Sequence, residues 1–255
     1  MIIIFGALKI ELENIIRGTM VHRTIKKHGI AIYSGLIDKR DVLVAVTGIG
    51  RHNAAKAADI VCGLSEVNEA REVKVLITGF CGAAAKRLEI GDLVVYNRVT
   101  DCTKNSDPIK DGDLLPPADY ILSTAKRVLE IDKIRNVVCG CTGRVVSTPE
   151  EKAATGKKYG VDVIDMETYW IIEQLQKNGL PPGLIYCIRA VSDDSSVRLP
   201  VYFSSDTKPG AVLKFLRSIL ISIFSKDEFR INLNALRNIG RAKSRLDKTV
   251  LRFIQ

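Results

Sequence analysis

Four short apolar runs constrain how this chain can fold. They are Ile2-Ile3-Ile4-Phe5, Val42-Leu43-Val44-Ala45-Val46, Val73-Lys74-Val75-Leu76-Ile77 and Leu184-Ile185-Tyr186-Cys187-Ile188. Runs this short and bulky read as strands buried in a sheet. Each gives way abruptly to small or polar residues: Gly6-Ala7, Thr47-Gly48-Ile49-Gly50, Thr78-Gly79-Phe80-Cys81-Gly82-Ala83-Ala84, and Ser192-Asp193-Asp194. In open α/β sheets ligands bind beyond the carboxyl ends of the strands, so these four stretches are where a site is expected.

The intervening segments fit the same plan. Leu8, Leu12, Ile15 and Ile16 recur at helical spacing, with Glu11 and Glu13 in the first turn, where the helix dipole favours acidic groups. Ile30 to Gly35 reads as a strand joined to Val42–Val46 through the polar turn Asp38-Lys39-Arg40-Asp41. The glycine turn at 47–50 leads into an Ala-rich helix and offers backbone N–H groups to an anion or a hydroxyl. It lacks the signature of a P-loop or of a dinucleotide site. Further strands are expected from Ile90 to Tyr96 and from Val137 to Val146, and a helix from Ala118 to Ile131. Thr148-Pro149 reads as a helix start, and 101–117 as a polar surface loop or lid.

Two places carry candidate chemistry. Ser192 and Asp193 end an apolar strand, so the Asp193 carboxylate is expected to be partly desolvated and suited to general-acid work. Glu11, near the mouth of the first strand, can share a pocket with it. In Val161 to Ile172 a short strand gives way to a helix that carries Asp165 and Glu167 at its start. Carboxylates there suit sugar hydroxyls, because an ionised carboxylate accepts two hydrogen bonds at once. Ordinary helix-start acids are the competing reading for both places. The six cysteines are scattered, and Cys139-Gly140-Cys141 has neither zinc-knuckle nor redox-motif spacing, so reduced buried thiols in a cytoplasmic protein are expected. There is no basic n-region before the apolar start, and no apolar run approaches the ~20 residues of a membrane span.

The net charge of +9 is concentrated late in the chain. From Lys208 onward there are eleven basic and three acidic residues, leaving the first 207 nearly neutral. Residues 1–207 are therefore expected to form the catalytic unit, and 208–255 a basic helical extension packed on or beside it. Ala211 to Phe224 is strongly apolar but only 14 residues long, and Arg237 to Arg252 is basic and amphipathic. One reading is a helix closing the core followed by a solvated basic helix. The other is peripheral attachment to an anionic membrane. Few aromatics interleave with these cations, which disfavours nucleic acid.

Taken together, Gly6-Ala7 with Glu11, Thr47-Gly48-Ile49-Gly50, Thr78-Gly79-Phe80-Cys81-Gly82, Gly91-Asp92-Leu93-Val94-Val95, Asp165-Met166-Glu167 and Arg189-Ala190-Val191-Ser192-Asp193 resemble, in order, the nucleoside phosphorylase/nucleosidase superfamily. The likeness covers residues 1 to about 200 and is strongest to the methylthioadenosine/S-adenosylhomocysteine nucleosidase branch. Asp193-Asp194 through Arg198-Leu199-Pro200, and then Leu236 to Arg241, are similar to the hopanoid-associated members, whose expected reaction removes adenine from adenosylhopane.

The resemblance implies a mixed central β-sheet flanked by helices, a homodimer, and a site that needs no metal or cofactor. It implies Asp193 as the acid that protonates the purine, Glu11 as the base for the attacking water, Glu167 on the ribose hydroxyls and Met166 against the sugar. Val145, Val146, Phe80, Ser192, Gly79 and Ile49 would complete the substrate-binding set. Two departures stand out. Asp165 replaces the family's glutamate and is expected to be structural, and Phe80 replaces a small residue. No early Gly-Asp-Pro phosphate site is evident, which favours water over phosphate as nucleophile, with Arg51 the residue able to overturn this. The expected activity is hydrolysis of an adenosine-type nucleoside, small or lipid-linked. The alternatives are a methylthioadenosine/S-adenosylhomocysteine nucleosidase, a phosphate-dependent phosphorylase, and a nucleoside-binding module with a membrane-docking tail.

Overall fold

A computed structural model describes residues 1–103, 134–199 and 226–254. Of the loop or lid expected at 101–117, residues 104–117 lie outside the described residues, as do the helix at 118–131 and the apolar stretch at 211–224; Asp101 belongs to the sheet. Nine strands are described: β1 (Ile2–Gly6), β2 (Met20–Lys27), β3 (Ile30–Ile37), β4 (Arg40–Val46), β5 (Lys74–Ala83), β6 (Leu93–Asp101), β7 (Ile134–Cys141), β8 (Val163–Asp165) and β9 (Ile185–Asp193). The helices are α1 (Lys9–Gly18), α2 (Arg51–Cys62), α3 (Ser65–Asn68), α4 (Pro149–Tyr159), α5 (Thr168–Lys177) and α6 (Lys226–Ile254).

The strands form one mixed sheet in the order β2-β3-β4-β1-β5-β8-β7-β6-β9, and β9 also pairs with β5. That extra pairing closes β5, β8, β7, β6 and β9 into a ring, with β1 to β4 continuing from β5 as an open wing. The first strand is buried throughout and lies parallel between β4 and β5, which is why it reads as an unbroken apolar run. β2 is a strand that sequence reading does not anticipate. It is the outermost strand of the wing and largely exposed, so no buried face imposes an alternation on Met20 to Lys27.

Strand boundaries differ from expectation at β5 and β7, and also at β6, which runs to Asp101 and not to Tyr96. β5 does not stop at Ile77 but runs on through Thr78-Gly79-Phe80-Cys81-Gly82 to Ala83. β7 ends at Cys141, and 142–147 leave the sheet before Thr148 caps α4 with Pro149 at its first position. The pairing of β5 with β9 is irregular at its far end. Cys81 pairs with Val191 but Gly82 pairs with Asp193, leaving Ser192 as the extra residue of a β-bulge. Bulges re-aim side chains, and here the one re-aimed is Asp193.

The amphipathic helix at the end of the chain is integrated into this core. Ala242, Leu246, Val250 and Ile254 recur every four residues, are fully or nearly fully buried, and share a cluster with Ile4, Val95, Tyr186 and Ile188. Asp247 accepts from Asn14 of α1 at 2.6 Å and from Lys243 at 2.8 Å. The apolar stripe from Ala242 to Ile254 is therefore taken up by the protein itself. The cations Arg237, Arg241, Lys248 and Arg252 stay exposed on its outer side. Among the described residues no helix is long and apolar enough to cross a membrane.

Candidate active site

Two glycines of β5 make room for two carboxylates. Gly79 has φ +135, and a Cβ there would lie 2.6 Å from Oε1 of Glu11 and 2.9 Å from a guanidinium nitrogen of Arg189. At Gly82 a Cβ would lie 2.8 Å from Oδ2 of Asp193. One strand thus seats Glu11 at one point and Asp193 three residues later. Both carboxylates line the same cavity, together with Ile49, Phe80, Val145, Val146, Met166, Glu167 and Ser192. Of the catalytic and substrate-binding residues that the resemblance implies, Gly79 alone stands off the wall: it backs Glu11 and does not face the cavity.

Glu11 is buried at the start of α1, where Oε2 accepts from the Leu8 N–H at 2.8 Å and Oε1 from the Phe80 N–H at 2.9 Å. Each oxygen keeps a lone pair for a ligand. Burial raises its proton affinity above the ordinary carboxylate range, against the opposing pull of Arg189 and the backbone N–H groups. That is the condition of a usable base.

Glu167 occupies the N-cap position of α5, and the Gly50 N–H donates to its Oε1 at 2.8 Å. The glycine turn at the head of α2 is therefore filled from within: the acceptor for its N–H is this carboxylate. Burial first, then neighbouring Asp165 and Glu11, push the Glu167 carboxyl up to about 7, against Arg189 and the Gly50 N–H.

Asp165 has a different fate. Cys141 Sγ donates to its Oδ1 at 2.6 Å, the Thr168 hydroxyl donates to its Oδ2, and Arg189 lies 3.3 Å from the same oxygen. It is a buried ion pair fixing the start of α5, in keeping with its short side chain. Cys139, Cys141 and Asp165 are the described residues grouped closely enough to hold a metal ion. Burial keeps both thiols up, in their neutral form, and the carboxylate already serves Arg189 and Thr168.

Arg189 enters the sequence reading only as part of a motif, yet it organises the charges at the Glu11 and Glu167 end of the cavity. It is 1% exposed, donates to the Phe80 carbonyl at 3.1 Å and to the Thr168 hydroxyl at 2.9 Å, and its Nε has no hydrogen-bond partner among the described residues. Around it stand Asp165, Glu11 and Glu167, each lowered by its charge or paired with it.

At the opposite end, Ser192 donates to Oδ1 of Asp193 at 2.8 Å. Lys152 of α4, in sequence one of several lysines on a polar helix, is 1% exposed and lies 2.5 Å from Oδ2. The contact is off the direction of a hydrogen bond, so Oδ2 has a cation beside it and no hydrogen bond from any described residue.

Arg51 does not enter the cavity wall. It is exposed, and its guanidinium stacks 4.3 Å over the ring of buried Trp170. Asn238 and Ile239 of α6 do reach the wall. Both lie in the stretch Leu236 to Arg241 that carries the hopanoid-associated resemblance, but nothing in that stretch marks them as wall residues.

Known proteins share this architecture. The chain is 24% identical over 214 residues to a 5′-methylthioadenosine/S-adenosylhomocysteine nucleosidase of Shewanella sp. (strain MR-7), covering 79% of this chain and 87% of that protein. The crystal structure of the Neisseria meningitidis enzyme of the same name, in complex with methylthio-immucillin-A, superposes with a TM-score of 0.71 at 19% identity. It covers 99% of this chain and 97% of that one. The native futalosine hydrolase of Helicobacter pylori gives a TM-score of 0.62 at 19% identity, over 94% and 96% of the two chains. The family model of the phosphorylase superfamily matches residues 1–208, and this chain belongs to that superfamily.

Proposed function

We propose that the protein is a purine nucleosidase that hydrolyses the N-glycosidic bond of an adenosine-type nucleoside. The observation that carries this reading is the pair of buried carboxylates, Glu11 and Asp193, set into one cavity by two glycines of the same strand. Glycosidic cleavage builds positive charge on the sugar and negative charge on the leaving group. In the proposed mechanism Asp193 delivers a proton to N7 of the purine as the C1′–N9 bond breaks. Glu11, with a lone pair free on each oxygen, takes a proton from the water that attacks C1′. Glu167 accepts from the ribose hydroxyls, Met166 packs against the sugar, and Val145, Val146, Ile49 and Phe80 give the base and sugar an apolar enclosure. The anionic lining around one buried guanidinium suits a cationic ribosyl transition state.

Charge also favours water over phosphate. A phosphate at C1′ would stand among Glu11, Asp165 and Glu167, whose common cation, Arg189, is already bonded to Asp165, Thr168 and Phe80. Arg51 is held on Trp170. The relatives' names supply the first substrates to try, 5′-methylthioadenosine and S-adenosylhomocysteine. A lipid-linked adenosyl compound such as adenosylhopane is a third. For that compound α6 provides a use: it brings Asn238 and Ile239 to the cavity wall and turns four cations outward. Each such cation contributes ~1 kcal/mol at an anionic lipid surface. Contact through this part of the helix would then be electrostatic, since its apolar stripe from Ala242 to Ile254 is buried. A homodimer is the assembly that the resemblance implies.

The test is adenine release from the three compounds, each with and without phosphate. Release that ignores phosphate supports the proposal, and the substrate turned over best assigns the 5′-substituent. Release that requires phosphate makes the protein a phosphorylase. Tight nucleoside binding with no release would leave a binding module.

A further inference from the structure

A lysine is seldom fully buried, and one that is buried needs partners for its charge. Lys152 lies on α4, a helix otherwise polar on its outer side, and turns inward to the cavity wall. Its ammonium donates to the backbone carbonyls of Asp194 at 2.8 Å and Val197 at 3.0 Å, which leaves one hydrogen. The nearest charged group to that hydrogen is Oδ2 of Asp193, 2.5 Å from the nitrogen but off the direction of a hydrogen bond. Oδ1 of the same carboxylate is already served by the Ser192 hydroxyl. The arrangement raises a chemical question: an ammonium and a hydroxyl both stand against this one carboxyl group, so the proton that reaches the base has a donor beside it other than solvent.

We propose that Lys152 replenishes the proton on Asp193 during the reaction, acting through that carboxylate and not by touching the base. A rotation of the carboxyl group brings Oδ2 onto the third N–H. As the C1′–N9 bond breaks, its electron pair goes to the purine. N7 takes a proton from Asp193, and Asp193 takes one from the Lys152 ammonium, which is left as a neutral amine. The oxygen of water bonds to C1′ and its proton goes to Glu11. Solvent then protonates Lys152 and deprotonates Glu11, so the sum is nucleoside plus water giving sugar plus base. Lys152 is thus a positioning and proton-supplying residue for Asp193.

The other titratable groups around the cavity are accounted for. Glu11, Cys81, Asp165 and Glu167 line it from α1, β5, β8 and the head of α5. On α4 itself Glu150 is exposed, and Glu151 pairs with Arg144 at 2.7 Å on the solvent side. Asp194 uses its carboxylate on Ser196. None of these carries a proton to Oδ2 of Asp193.

The inference rests on the nucleosidase reading, and its test separates the two. kcat/KM for 5′-methylthioadenosine is measured across pH for the wild type and for Lys152→Met. General acid catalysis is worth about 10²–10⁴-fold, so the variant is expected to lose about 10²-fold in alkaline buffer and to recover most of that as the buffer is made more acidic and free protons replace the ammonium as the source. Its alkaline limb moves towards acid. A uniform loss at every pH, with the profile unchanged in shape, would mean that Lys152 only pins the Asp194 and Val197 carbonyls, and would overturn the proposal. Should the variant not fold, the wild type alone decides. A limb set by an amine moves strongly to lower pH on warming, whereas one set by a carboxyl barely moves, and a limb that stays in place overturns the proposal. A wild type that releases base from none of the nucleosides tested fails the nucleosidase reading, and this inference with it.

Discussion

Gly82→Ala is the cleanest perturbation of the site, because the three atoms nearest the added methyl group all belong to one carboxyl group. The new Cβ would lie 2.8 Å from Oδ2 of Asp193, with the next atoms, Cγ and Oδ1 of the same carboxylate, at 3.4 and 3.5 Å. Gly82 is not among the glycines with positive φ, so alanine adds no backbone strain there. Ordinary van der Waals contact begins near 3.4 Å, so the carboxylate must retreat by about 0.6 Å. A displacement of ~1 Å at a reacting group costs about 10²-fold, which puts this one near tenfold. The assay is adenine release at saturating nucleoside, expected to show kcat down about tenfold with KM little changed. The unfolded chain loses entropy through the same substitution, worth ~0.4–1 kcal/mol, which offsets the crowding, so thermal stability should hold. Gly63→Ala serves as the control: it ends α2 at φ −80, its Cβ would meet nothing closer than 3.6 Å, and wild-type kcat is expected. A Gly82→Ala protein with wild-type kcat would refute the idea that the placement of Asp193 limits the reaction.

Other consequences can be checked alongside. Glu11→Gln and Asp193→Asn should each lower kcat by about 10²–10⁴-fold while nucleoside binding by calorimetry persists, and a variant of either kind with full turnover removes that residue from the mechanism. Because the Glu167 carboxyl is pushed up to about 7 from 4.5, it binds more protons folded than unfolded. Its contribution to stability is therefore fully present below about pH 4.5 and lost as pH rises through about 7. Glu167→Gln should flatten the melting temperature across that window, and an unchanged slope would locate the titration elsewhere. Arg189→Met leaves Asp165 without its cation in the core, so a loss of about 3–5 kcal/mol in denaturant unfolding is expected, and less than 1 kcal/mol would show that the pair is dispensable.

How far each element can be read in the sequence depends on what drives it. Strands buried on both faces, such as β1 and the first half of β9, are legible because burial writes them as unbroken apolar runs. Thr148 and Pro149 declare the start of α4 because capping is local chemistry. The exposed β2 gives no such signal, since its place is fixed by hydrogen bonds to β3. Asp193 and Glu11 are visible as acids at strand ends, but their meeting depends on two glycines of a third strand and on a bulge at Ser192, which only the register reveals. Lys152 is hidden for the opposite reason: on a helix of lysines and glutamates nothing marks the one lysine that points inward.

The central claim is that Glu11 directs water to C1′. The direct test is turnover of 5′-methylthioadenosine in heavy-oxygen water with phosphate present, followed by mass analysis of the released sugar. The account predicts one heavy oxygen per sugar from the wild type, no sugar phosphate, and almost no product from Glu11→Gln. Unlabelled sugar phosphate as the product would contradict it, and would make phosphate, not water, the group this cavity was shaped to deliver.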